Sequence, residues 1–151
     1  MEQKNKWKQP HPLKIYEALG AIADNRVKDN TVYSSSGNKY YTVEYDGSNI
    51  TTNDNAAYYK GTFGYSAIAY LMSIGELPIK QEYLDVLEGI PWKDINQEYK
   101  NDYTKVQEII DQRLIQKGVD IHEFRTYVKE ILESIRVYGK LGAHTQPPKG
   151  Y

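Results

Sequence analysis

The stretch KYYTVEYDGSNITT, residues 39–52, decides the fold class, because its side chains alternate with a period of two. In an extended chain, Tyr41 and Val43 face one side and their polar neighbours face the other. The Asp46-Gly47 pair predicts a hairpin, since both central positions of a type I′ turn need a positive φ. The residues that follow, 48–52, are expected to return as the partner strand.

Strands are also expected on both sides of this hairpin. Residues 26–34 predict a first strand, and the turn-forming residues 35–38 separate it from the hairpin. Asn53, Asp54 and Asn55 make another turn. Residues 56–60 are then expected to form a fourth strand. The prediction is a small antiparallel meander of three or four strands.

Helical periodicity frames this meander. A stripe of apolar residues three and four apart predicts an N-terminal helix from Pro12 to about Asp24. After the Gly61–Gly64 break, apolar spacing predicts a helix that ends at Gly75. Pro78 is expected to open the next helix at its first turn.

The last third of the chain predicts a long αα-hairpin. One helix contains Tyr103 and Leu114 and stops at Gly118. Asp120 is a good N-cap for the second helix, whose heptad-like apolar seam runs to Tyr138. The fold class is therefore α+β: an N-terminal helix, the meander, and a C-terminal bundle of four to five helices. The expected organisation is a basic flexible arm at 1–11, one domain at 12–138 and a Gly/Pro-rich flexible tail at 139–151.

Composition excludes several classes of protein. The 151 residues contain no cysteine, which excludes disulfides, thiolate catalysis and sulfur-bound metals. The formal net charge of −1 provides no global attraction to nucleic acid or membrane. The longest apolar run, Ala67–Met72, is far too short to span a bilayer. We expect a soluble cytoplasmic protein that does not contact a membrane.

The glycine-containing loop is the candidate anion site. Lys60, Gly61, Gly64, Tyr65 and Ser66 lie between an expected strand and a helix start. Amide groups at a helix N-terminus attract anions, and the lysine would add positive charge. The loop matches neither the phosphate-loop pattern nor the dinucleotide pattern. A plain strand-to-helix turn is the alternative interpretation.

Tyrosine is the unusual residue, with 15 tyrosines against two phenylalanines. Adjacent strand residues point to opposite faces, so the doublets at 40–41 and 58–59 would each display one ring. Tyr40, Tyr58, Tyr59 and Tyr127 are the candidate interaction residues, because exposed rings anchor interfaces and stack bases. An AT-rich genome is a competing explanation for the excess.

No catalytic or metal signature accompanies these features. His11, His122 and His144 lack the spacing of metal ligands, and Ser66 lacks the second glycine of a nucleophile elbow. We expect no metal and no cofactor, and the sequence favours a binding protein over an enzyme. The leading hypothesis is an interaction module that contacts a macromolecular partner, or itself as a homodimer, through its tyrosine-bearing sheet and amphipathic helices. The alternatives are an enzyme or binder of a phosphate-bearing ligand at residues 61–66, and a weak binder of single-stranded nucleic acid.

Overall fold

The computed structural model describes residues 6–141, and it has the predicted α+β fold. The helices are α1 (Leu13–Ala23), α2 (Asn55–Lys60), α3 (Tyr65–Ser73), α4 (Gln81–Leu87), α5 (Trp92–Glu98), α6 (Tyr103–Gln116) and α7 (Ile121–Ser134), which a short 3₁₀ helix (Ile135–Val137) extends. The strands are β1 (Val27–Lys28), β2 (Thr31–Tyr33), β3 (Tyr40–Tyr45), β4 (Asn49–Thr52) and β5 (Gly139–Lys140).

The strands form one sheet in the order β1-β2-β3-β4-β5. The first four are an antiparallel meander in chain order, and β5 returns from the C-terminus to pair in parallel with β4. Val32 lies opposite Tyr41, and Val43 lies opposite Thr52. The predicted alternation along β3 is confirmed, because Tyr41 and Val43 are buried while Tyr40 is exposed.

Two turns of the sheet differ from expectation. Residues 26–34 were expected as one strand, but they form the hairpin of β1 and β2, with Asp29 in the left-handed region at φ 53°. The β3–β4 hairpin is present, yet its turn is not type I′, because only Gly47 of the pair has a positive φ. The Asp46 carboxylate instead accepts hydrogen bonds from the amides of Ser48 and Asn49, which closes a three-residue loop.

The expected fourth strand at residues 56–60 is wrong, because this segment is helix α2. Asp54 is its N-cap and accepts a hydrogen bond from the Ala57 amide at 2.9 Å. Gly61 ends the helix with a φ of 65°. A capping carboxylate at one end and a left-handed glycine at the other favour a helix over the strand preference of the Tyr58–Tyr59 doublet.

Helix α1 is the centre of the molecule. It packs against α3, α4, α6 and α7, and α3 lies between it and the sheet. Most of α1 is buried, including Ile15, Tyr16 and Leu19 at 0% exposure. A helix that is buried on nearly all faces belongs to the core rather than to a surface. The two charged residues of α1, Lys14 and Glu17, therefore enter the interior with it.

The C-terminal hairpin follows the prediction closely. The Asp120 side chain accepts hydrogen bonds from the amides of His122 and Glu123, so the predicted N-cap of α7 is confirmed.

The helix expected at Pro78 begins instead at Gln81, because Lys80 is extended and the Pro78 carbonyl accepts a hydrogen bond from Tyr127.

Both ends of the described chain contact the sheet, beyond the predicted domain of residues 12–138. Lys8 exchanges backbone hydrogen bonds with Gly61 and Phe63, and the ring of Trp7 packs on Phe63. His11 accepts the Leu13 amide on Nδ1 at the start of α1. The other residues of the predicted arm, 1–5, and of the predicted tail, 142–151, lie outside the described residues.

Candidate functional site

A cleft of about 370 Å³ opens between α1, α2, α5 and the β1–β3 side of the sheet. This volume lies in the range of small-molecule sites, which is roughly 300–1,000 Å³. The cleft is lined by Lys14, Glu17, Arg26, Ser34, Ser35, Lys39, Tyr41, Asp54, Asn55, Ala56, Tyr59, Lys60, Tyr65, Trp92, Lys93, Asn96, Gln97, Asn101 and Tyr103.

The lining is rich in positive charge. It contains five cationic side chains and two carboxylates, whereas the whole chain has a net charge of −1. The cations come from five separate segments of the chain, and they are Lys14, Arg26, Lys39, Lys60 and Lys93. Cations gathered in a concave surface with low-dielectric walls strengthen the local field and attract anions.

Helix α1 contributes an ion pair to one wall of the cleft. The Lys14 ammonium lies 3.2 Å from a Glu17 carboxylate oxygen and 4.2 Å from the centre of the Tyr103 ring. Asn96 of α5 donates a hydrogen bond to the same glutamate at 3.1 Å. Burial acts to lower the pKa of Lys14, but Glu17 and Tyr103 outweigh it and the pKa is raised. The lysine is therefore held in its charged form.

A second wall surrounds Arg26, whose side chain is only 10% exposed. Its Nη1 donates to the Tyr33 carbonyl at 2.7 Å, and its Nε lies 3.6 Å from an Asp24 carboxylate oxygen. Within the described residues, Nε and Nη2 make no hydrogen bond. Tyr65 is also in this wall, and burial raises the pKa of its hydroxyl, so it stays protonated. Lys39, at 9% exposure, adds a further cation.

Asp54 connects the cleft to the helix starts behind it. Its carboxylate accepts hydrogen bonds from the Ala57 amide at the start of α2 and from the Ser66 hydroxyl, at 2.6 Å, at the start of α3. The Ser66 hydroxyl also contacts Thr52. Burial raises the pKa of Asp54, although the bonds from Ser66 and Ala57 and the charge of Lys14 oppose this rise. The carboxylate is thus already engaged by the protein.

The structure separates the residues of the predicted anion loop. Lys60 and Tyr65 line the cleft, whereas Gly61, Gly64 and Ser66 do not. The amide and hydroxyl of Ser66 are directed to Asp54, and Ser66 is fully buried. Gly64 leaves room for this carboxylate, because a Cβ there would overlap both oxygens of Asp54. An internal carboxylate thus occupies the helix start that was considered for a ligand.

The four candidate tyrosines also occupy different environments. Tyr59 lines the mouth of the cleft and is 71% exposed, and Tyr58 contacts it edge to face. Tyr40 is exposed outside the cleft, beside Tyr33. The expectation of an accessible ring at Tyr127 is wrong. Its ring is 5% exposed against Tyr83 and Phe124, and its hydroxyl donates to Pro78, because the apolar stripe of α7 is wide enough to include it.

Sequence reasoning missed most of the cleft. Lys14, Glu17, Arg26 and Lys39 were not among the candidate site residues. One signal was present in α1, where Lys14 and Glu17 interrupt a helix that is otherwise apolar on nearly every side. Charged residues rarely enter a core unless they are paired or functional. Arg26 and Lys39, which line the cleft from the side of the sheet, have no comparable signal in the sequence.

Comparisons with known proteins add one match. The family described as uncharacterised conserved protein UCP014422 matches residues 7–139. No curated protein and no solved structure matches the chain. In the described part of the chain, none of the helices is both long enough and apolar enough to cross a bilayer.

Proposed function

Because this chain belongs to the family of uncharacterised conserved protein UCP014422, whose description specifies no ligand or reaction, we propose a function from the cleft itself: the protein binds a small anionic molecule there. The observation that carries this proposal is the excess of five cations over two carboxylates in one concavity of about 370 Å³. Like charges that converge in a low-dielectric space repel one another, so a bound anion would stabilise them.

The two carboxylates of the lining strengthen the argument, because both have partners within the protein. Glu17 accepts from Lys14 and Asn96, and Asp54 accepts from Ala57 and Ser66. Arg26 pairs with Asp24, which is not part of the lining, and its Nε and Nη2 make no hydrogen bond within the described chain. An anion in the cleft would supply an acceptor for these Arg26 nitrogens.

This proposal keeps the predicted phosphate-bearing ligand and moves its site. The ligand lies in the cleft beside Lys60 and Tyr65 rather than at the start of α3, where Asp54 already accepts the Ser66 amide. Inorganic phosphate and ribose 5-phosphate are suitable first probes. Their binding is measured by isothermal titration calorimetry at low and moderate salt, and affinity is expected to fall as salt screens the cations.

Lys60→Gln is the variant that tests the location, because Lys60 is exposed and its loss leaves the interior intact. We expect the affinity for ribose 5-phosphate to fall about fivefold, which corresponds to roughly 1 kcal/mol for a charge pair near the surface. Lys129→Gln on the exposed face of α7 removes the same charge outside the cleft and is expected to have no effect. The proposal is wrong if neither anion binds at low salt, or if both variants behave alike.

A second candidate function rests on the exposed pair of Tyr33 and Tyr40. Their ring centres are 5.7 Å apart, and their exposures are 36% and 52%. Paired exposed rings are typical anchors of protein interfaces. They support the proposal that this exposed part of β2 and β3 contacts a macromolecular partner or a second copy of the chain. Light scattering at high concentration tests for a homodimer. Tyr40→Ala should shift a dimer toward monomer. A strictly monomeric wild type would contradict the homodimer proposal.

The remaining expectations stay predictions. A cytoplasmic location rests on the lack of cysteine and on the lack of a long apolar run. Binding of single-stranded nucleic acid rests on the exposed rings of Tyr40 and Tyr59. Titration of a short single-stranded oligonucleotide at low salt tests nucleic-acid binding. The absence of binding under those conditions would exclude this function.

A further inference from the structure

The mouth of the cleft carries an exposed aromatic ring. Tyr59 lies in the last turn of α2, lines the cleft, and has 71% of its surface exposed. The neighbouring Tyr58 ring contacts it edge to face, with centres 4.9 Å apart and planes at 89°. This contact leaves Tyr59 largely open to solvent.

The chemistry changes between the mouth and the interior. Arg26 and Lys39 lie in the interior and are at least nine-tenths buried. The amide side chains of Asn55, Gln97 and Asn101, which are exposed, belong to the same lining. Side-chain amides supply both donors and acceptors, so they suit the edge of a heterocycle.

We propose that the ligand of the cleft is a mononucleotide-like molecule, whose heterocycle stacks on Tyr59 and whose phosphate lies among the interior cations. This inference rests on the proposed function, since it specifies the class of anion that the cleft binds. Three features of one lining support it: a cationic interior, amide side chains, and an exposed ring at the entrance. A volume of about 370 Å³ is sufficient for a ligand of this size.

The test compares adenosine monophosphate, uridine monophosphate and ribose 5-phosphate by calorimetry on the full chain. Stacking of a base on an aromatic side chain is worth about 1–3 kcal/mol, so at least one nucleotide should bind about tenfold more tightly than ribose 5-phosphate. Tyr59→Ala should remove most of this difference, because it weakens the binding of nucleotides more than the binding of ribose 5-phosphate. Tyr59→Trp should retain or increase the difference.

Tyr40→Ala is the matched control, because it removes an exposed ring outside the cleft. It should leave all three affinities unchanged. If ribose 5-phosphate binds as tightly as both nucleotides, or if Tyr59→Ala leaves the nucleotide affinities unaltered, the stacking inference is overturned while anion binding survives. If none of the three ligands binds, the proposed function fails and this inference fails with it.

Discussion

At the scale of the residue, the Asp54 carboxylate joins the starts of two helices. One oxygen accepts the Ala57 amide of α2, and the other accepts the amide and hydroxyl of Ser66 in α3. Helix starts carry amide groups without intrahelical acceptors and a partial positive charge, so a buried carboxylate between two of them is doubly compensated. The arrangement works only because residue 64 has no side chain.

Gly64→Ala is therefore expected to destabilise the protein by about 1–3 kcal/mol. Gly64 has a φ of −85°, which any residue adopts, so the cost comes from overlap of the new methyl group with Asp54. Urea unfolding followed by circular dichroism measures it. Gly75→Ala is the control, because its methyl group would enter open space at a φ of +85° and cost about 1 kcal/mol from the backbone alone. A Gly64→Ala variant as stable as wild type would show that Asp54 can move away without loss.

At the scale of the element, periodicity predicted the long helices better than the short ones. α7 was expected from its seam and its Asp120 cap, and both are present. α2 was expected as a strand, because six residues are too few for a helical period and the Tyr58–Tyr59 doublet favours strands. The information that decides α2 is in Asp54 and Gly61 at its ends. Those residues were interpreted as turns instead of caps.

Packing between elements includes a buried polar link that periodicity does not show. The hydroxyl of Tyr16 in α1 donates to Asp111 in α6 at 2.5 Å, and Arg125 in α7 donates to the same carboxylate at 2.8 Å. Asp111 is 3% exposed. A buried carboxylate needs its donors, so this link fixes how three helices sit against one another.

Tyr16→Phe should lower the free energy of unfolding by about 1.5–3 kcal/mol, because it removes a hydrogen bond to a charged, buried acceptor. Chemical denaturation measures the loss. A double-mutant cycle with Asp111→Asn should show coupling between the two sites, since Tyr16→Phe removes the hydrogen bond and Asp111→Asn removes the charge of its acceptor. Tyr40→Phe removes a hydroxyl from an exposed ring, and it should change stability by less than about 0.5 kcal/mol. Additive effects of Tyr16→Phe and Asp111→Asn would mean that the link carries no stability of its own.

At the scale of the whole molecule, the cleft was the least predictable feature. Its cations come from α1, from Arg26 before β1, from the residue before β3, from α2 and from α5. Each is an ordinary charged residue in its own segment, and only the tertiary fold brings them together. Lys60 and Tyr65 were predicted as residues of an anion site, and both line the cleft. The prediction placed their ligand on a helix terminus that an internal carboxylate already fills.

The two ends of the described chain meet at the same edge of the sheet. Trp7 donates a hydrogen bond from Nε1 to the Ile50 carbonyl of β4 at 3.2 Å. The Lys140 ammonium of β5 lies 5.1 Å from the centre of the Trp7 ring. The Leu141 amide donates to the same Ile50 carbonyl. The segment before α1 thus covers the edge of the sheet together with β5, and an open sheet edge would otherwise invite pairing with another chain.

Trp7→Ala should lower the free energy of unfolding by about 2–3 kcal/mol, somewhat less than the loss of a fully buried tryptophan. Hydrogen exchange should locate the effect, with faster exchange of the Phe63 and Leu141 amides, which bond to Lys8 and Ile50. Trp7→Phe keeps a ring against Phe63 and loses the bond to Ile50, so its cost should be about 1 kcal/mol. If Trp7→Ala left both stability and exchange unchanged, the domain would be independent of residues 6–11. If instead its effect spread to amides throughout α1, the chain ends would belong to the same cooperative unit as the core.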